Sequence, residues 1–137
     1  MSKYEEFLAG ERLDDVAIFL PDDQLDEEGR LRELGEPVEG GVVLVVDGEK
    51  GRQVFKAGTG LDLMEFAQGA MGTEGHIDAG LNSAETPDGG DVEFVFAFAE
   101  AKNEEVGGLY AEGDVVHAYA KSSGGAAFSD RWVVGSR

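Results

Sequence analysis

The sequence predicts an α+β fold: a single domain on a mostly antiparallel sheet of about five to six strands, with two to three helices. Three observations lead there. Val42 to Val46 are five consecutive apolar residues, the run expected of a strand buried on both faces. Residues 92–99 and 115–121 alternate with the period of two that marks a sheet. Two further segments, 3–9 and about 60–71, place apolar residues at helical spacing behind a capping signal. A length of 137 residues suits one domain with a sizeable core.

Taken in order, Ser2 followed by Glu5 is a capping-box pair, and Gly10 stands where a helix end favours a left-handed residue. A short helix over 3–9 follows, with Tyr4, Phe7 and Leu8 inward. "DVAIFL" (15–20) is a strand stopped by Pro21. In "DDQLDEEGRLREL" (22–34), Leu25, Leu31 and Leu34 lie near helical spacing and Gly29 interrupts them; a helix is favoured over a hairpin. After the strand at 42–46, Asp47-Gly48 and Gly51 predict a tight hairpin into a second strand near 52–57. A helix over about 60–71 comes next. Residues 73–91 are acidic and glycine-rich, show no sustained period, and read as a long loop.

In "DVEFVFAFAEA", Val92, Phe94, Phe96 and Phe98 share one face. Val95, Ala97 and Ala99 occupy the other beside Glu93, and their small size leaves room for a helix to pack closely. In "GDVVHAYAK", Val116, Ala118 and Ala120 oppose Val115, His117, Tyr119 and Lys121. "FSDRWVVG" closes the chain as a last strand.

Charge is the extreme feature: 29 acidic against 11 basic residues give a net −18. The acids are spread along the chain between apolar runs, and 42% of residues are hydrophobic, so this is a folded domain with a carboxylate-coated surface. Such a surface suits a cytoplasm holding molar salt, or a protein that imitates nucleic acid to bind basic partners. An imitator needs its acids gathered on one side, and no such focusing is visible. The chain has no Cys, which excludes disulfides and thiolate metal sites. The start, "MSKYEEFLAGERL", lacks the apolar core of a signal peptide, and no run approaches the roughly 18 apolar residues of a membrane span. A cytoplasmic location with no membrane association is expected.

Gly58-Thr59-Gly60 resembles a phosphate cradle, but its surroundings do not. No Lys follows, as a P-loop requires, and the third glycine of a dinucleotide fingerprint falls on Leu63. Thr59 with Asp62 three residues on forms a helix cap instead, and its carboxylate takes the helix terminus a phosphate would need. No cofactor is implied.

Glu74, His76 and Asp78 alternate in "EGHIDAG" and form a candidate divalent-metal set. In a chain this acidic, carboxylates beside any His are expected by chance, so a solvated loop is favoured. His117 and Tyr119, in a row with Lys121, are candidates for acid–base work, weighed against a polar sheet face. Trp132 and Tyr110 can stack on a ligand, although a lone Trp in a terminal strand more often packs. Basic residues form no stripe interleaved with aromatics, so direct nucleic-acid binding has no support.

"VEGGVVLVVDG", "GTGLDLMEFAQGAMGTEGH", "VEFVFAFAE" and "NEEVGGLYAEGDVVHAYAK" together resemble a small haloarchaeal family of unknown function. The resemblance implies a salt-adapted cytoplasmic protein. It brings no activity, ligand or catalytic residue.

These residues therefore point to a non-catalytic domain that acts through a protein partner or a small ligand. The alternative is a small enzyme or ligand sensor using residues 73–91 and the His117 face. A pocket lined by His76, His117 and Tyr119 together favours the enzyme, and a flat exposed apolar patch favours the interaction module.

Overall fold

The computed structural model describes residues 2–22, 33 and 35–136. The helix expected over 22–34 lies outside the described residues, apart from Asp22 and Glu33. The fold is α+β, as the periodicities require. Six strands form one antiparallel sheet: β1 (Asp15–Pro21), β2 (Glu36–Val38), β3 (Gly41–Asp47), β6 (Val92–Glu100), β7 (Val115–Ser122) and β8 (Ala127–Val133), in the order β2-β3-β1-β6-β7-β8. A separate two-stranded hairpin joins β4 (His76–Ile77) to β5 (Ala84–Glu85). Among the described residues the helices are α1 (Lys3–Leu8), α2 (Gly48–Thr59), α3 (Leu63–Ala70) and α4 (Leu109–Glu112).

Both faces of the sheet are covered, which is why β1 and β3 read as near-continuous apolar runs. On one face α1 and the β4–β5 segment press Phe7, Ile77 and Leu81 onto Phe19, Val95 and Ala97. Close packing there uses the small residues of β6 and β7. On the other face α2 and α3 set Phe55 and Phe66 against Phe94 and Phe96, with ring centroids 4.8–6.0 Å apart. The expected cap of α1 is present: Ser2 accepts from the amide of Glu5, and Gly10 is left-handed. Val92 departs from the phenylalanine face on which alternation places it. A register shift between Val92 and Phe94 turns it to the side of Val95 and Ala97.

Residues 52–57 are not a strand; they belong to α2. Asp-Gly signals a hairpin turn and a helix start alike, and here Asp47 is extended with its side chain accepting from Lys50 N at 2.9 Å. Val54 and Phe55 give this helix its buried side, and left-handed Gly60 ends it. Gly51 is buried where a methyl would overlap Val16 Cγ2, so its lack of a side chain brings the helix down onto β1. The sixth place in the sheet goes to β2, whose Pro37 marks it as an edge strand.

The Gly-Thr-Gly segment joins two helices rather than a strand to a helix. Thr59 is the last residue of α2, its hydroxyl donating to Phe55 O at 2.7 Å and accepting from Leu61 N at 3.2 Å. The cap of α3 is Asp62, which accepts from Glu65 N at 3.1 Å, so the helix spans 63–70 rather than 60–71. The segment turns a corner by a different residue than expected, with a carboxylate still at the helix start.

Within 73–91 the chain makes its small hairpin and is tied down at several points. Gly75 N donates to Ser129 O and Ser129 N to Thr73 O, both at 2.9 Å, covering part of the outer edge of β8. Tyr4 donates to Gly80 O at 2.6 Å, and the buried Ser122 hydroxyl donates to Asp88 at 2.7 Å. No helix among the described residues is long and apolar enough to cross a membrane.

Candidate functional site

The helix-covered face of the sheet is not covered to its end. α2 and α3 lie over the rows that contain Phe94, Phe96 and Tyr119. The next row across the sheet is Phe98 on β6, His117 on β7 and Arg131 on β8, paired in register. Beyond the helices this row floors a cleft of about 730 Å³. Met71 and Glu74, following α3, stand on one side, and Leu109 and Tyr110 of α4 on the other.

Aromatic groups stack along the floor. Phe98 lies 4.9 Å from His117 with ring planes 16° apart, and 6.1 Å from Tyr119 at 20°. Tyr110 leans over His117 at 5.9 Å. His117 Nε2 faces two groups at once, Glu100 Oε1 at 3.0 Å and the Tyr110 hydroxyl at 3.3 Å. A protonated Nε2 donates to the carboxylate; a bare one accepts from the phenol. Burial holds the His117 pKa below its ordinary value; the charge of Glu100 opposes the shift and that of Arg131 adds to it. Burial also raises the Tyr119 phenol, helped by the neighbouring Tyr110 phenol and the Glu100 carboxylate. The imidazole and the phenol are therefore both kept towards their neutral forms.

His117 and Tyr119 come together as their shared strand face predicts. Lys121, from the same row, pairs with Glu93 at 3.7 Å and does not line the cleft. Glu74, His76 and Asp78 separate. Glu74 bridges to Ser129 and lines the cleft, whereas His76 and Asp78 sit 3.7 Å apart on the hairpin, where Asp78 also accepts from Ser83. Among the described residues no three His, Cys, Asp or Glu side chains gather as a metal site. His76 is not part of the cleft lining, so the three-residue pocket of His76, His117 and Tyr119 does not form. Trp132 is buried in the core, while Tyr110 forms a wall of the cleft.

Phe98, Glu100 and Arg131 are the site residues that sequence reasoning passed over. Phe98 and Glu100 share parity at the end of β6, one strand from His117, and that parity is visible in the sequence. The termination of the helices one row earlier is not.

The fold and site define an α+β domain with a six-stranded antiparallel sheet and an aromatic-floored cleft beyond its helices. The chain belongs to a family of unknown function (DUF5807), whose model matches residues 35–135 and so includes every residue of the cleft. No curated protein and no solved structure matches the chain significantly.

Proposed function

We propose that this domain is a non-catalytic small-ligand-binding module adapted to high salt, and that the cleft over β6, β7 and β8 is its site. One observation carries the reading: a concave site of about 730 Å³ gathers stacked aromatic residues with a few convergent polar groups. The volume lies within the range of small-molecule sites, and the lining is mixed, with charged and polar groups beside the aromatic ones. The protein-partner form of the reading draws on few residues. The exposed large apolar side chains among the described residues are Leu13, Met64, Met71 and Val106, of which Met64 and Met71 stand at the two ends of α3 and Met71 belongs to the cleft.

Surface charge supports the salt-adapted part. The chain exposes 7447 Å², and sharing it among 29 acidic side chains gives each about 260 Å², a spacing of about 16 Å. Neighbours that far apart repel by about 0.3 kcal/mol in water, and physiological salt cuts this to a few hundredths. Repulsion between average neighbours therefore does not distinguish ordinary from molar salt. The salt-adapted part rests on the net charge of −18, and molar salt would act by strengthening apolar burial.

A small enzyme or ligand sensor is the second reading. It draws on the contact of His117 with Glu100 and Tyr110, an imidazole held neutral beside a carboxylate and a phenol. Titration of the labelled chain with a mixed pool of small metabolites, followed by amide spectra, separates the readings. Saturable shifts at Phe98, His117, Tyr119 and Arg131 without turnover are expected. Turnover that His117→Gln abolishes establishes the enzyme, and an unresponsive cleft refutes both.

A further inference from the structure

Charge in the cleft is one-sided. Among the described residues, Glu74, Glu100 and Asp130 line it against one guanidinium, that of Arg131, in a chain of net charge −18. At ordinary ionic strength a recess with low-dielectric walls concentrates the field of the surrounding charge and draws in cations; in molar salt the attraction that survives is direct contact with a carboxylate. The three carboxylates differ in what they have left to offer. Asp130 accepts from Ile77 N at 3.0 Å and from Arg131 N at 2.8 Å, and so serves the backbone. Glu74 is exposed at the rim. Glu100 meets His117 through Oε1 and keeps half its side chain exposed, and Oε2 makes no hydrogen bond to the described residues. A carboxylate has about four acceptor positions, so Glu100 retains several for a ligand beside a neutral imidazole.

The cleft also offers apolar surface. Phe98 forms floor, Leu109 forms wall, and Met71 stands at the mouth with 64% of its surface in water. An exposed thioether is an adaptable apolar surface that a ligand's body can cover. Resting on the reading of the cleft as a small-molecule site, we propose that it takes a small organic cation, an ammonium joined to an apolar body. The ammonium sits on Glu100, and the body lies against Phe98, Leu109 and Met71.

The test uses the full chain in KCl and three probes of one shape: benzylamine, benzyl alcohol and benzoate, each followed by amide shifts and melting temperature. Benzylamine is expected to shift residues 98–100, 109–110, 117 and 131 saturably, and benzyl alcohol to bind about tenfold more weakly or worse. Glu100→Gln, nearly isosteric at a half-exposed position, should weaken benzylamine by about tenfold and leave benzyl alcohol unchanged. Equal affinity for amine and alcohol, or benzylamine binding indifferent to Glu100→Gln, overturns the assignment of a cation. Benzoate binding tightest, with the gain lost in Arg131→Gln, also overturns it while keeping the cleft as a small-molecule site. Silence from all three probes at the cleft overturns both.

Discussion

Replacing Gly51 by Ala puts two known quantities in opposition at one atom. Gly51 lies inside α2, where Ala is the better helix former by about 1 kcal/mol. Its new methyl, however, would overlap Cγ2 of Val16. Val16 has little room to yield: it is 8% exposed, branched at Cβ, and held in register between Val46 on β3 and Phe98 on β6. Overpacking of this kind costs about 1–3 kcal/mol. Gly69, inside α3, is the internal reference, because a methyl there meets nothing within 4 Å and Ala should stabilise by somewhat under about 1 kcal/mol. The difference between the two variants cancels most of the propensity term and leaves the overlap, about 1–3 kcal/mol. At about 3–4 °C per kcal/mol for a domain of this size, the melting temperatures should differ by several degrees.

Urea unfolding at fixed KCl measures both free energies. Val16→Ala supplies the control: alone it should cost about 2 kcal/mol, and with Gly51→Ala the added methyl fills part of the void, so the two changes are less than additive by about 1 kcal/mol or more. Additive effects, or a Gly51→Ala variant as stabilised as Gly69→Ala, would refute the account of α2 seated on β1 through this glycine.

Asp62→Ala should cost about 1 kcal/mol as the loss of an N-cap. Thr59→Ala should leave α3 intact by amide exchange, and protection lost there in the threonine variant instead would restore the Thr59 cap. His117, with its pKa lowered in the fold, takes up its proton more readily when the chain is unfolded. Stability is therefore full above the ordinary imidazole pKa of about 6.5 and falls with pH from there down to the depressed value. His117→Gln should remove that component from a urea-unfolding series between pH 7.5 and about 5, and an unchanged slope counts against a buried neutral imidazole. The melting temperature should keep rising between about 0.5 and 3 M KCl, because molar salt strengthens apolar burial after Coulomb repulsion is screened. A curve flat across that range removes the case for salt adaptation and favours the imitation of nucleic acid.

Much of the fold is legible where one periodicity has no competitor. Val42 to Val45 are buried, Phe94 and Phe96 alternate with Val95 and Ala97 across two cores, and Ser2 caps α1. Misreading concentrates at residues with two local meanings. Asp47-Gly48 serves a hairpin or a helix start, and as a helix the segment buries Val54 and Phe55 and sets Gly51 against Val16, a contact some thirty-five positions away in the chain. Thr59 and Asp62 both suit an N-cap, and the end of α2 claims the threonine first. Of the site, the pairing of His117 with Tyr119 follows from strand parity. Glu100, Arg131 and the walls at Met71 and Tyr110 come from four separate segments, and the opening among them depends on where α3 stops. Local pattern carries no record of that distance.

The central position of β1 has a consequence for how the protein is made. β1 is bordered by β3, which follows soon after it, and by β6, which begins only at residue 92. A ribosome adding about 5–20 residues per second needs on the order of ten seconds to supply that second neighbour. Throughout that interval one edge of an apolar strand, Val16 to Leu20, has unpaired amides and carbonyls within reach of any other nascent chain. The β1–β3 pair and α2 can assemble in the meantime, but the sheet has no middle until the latter part of the chain arrives. Errors in production should therefore appear as dependence on translation speed and chaperone supply, and silent codon changes between β3 and β6 would alter soluble yield without altering the folded protein.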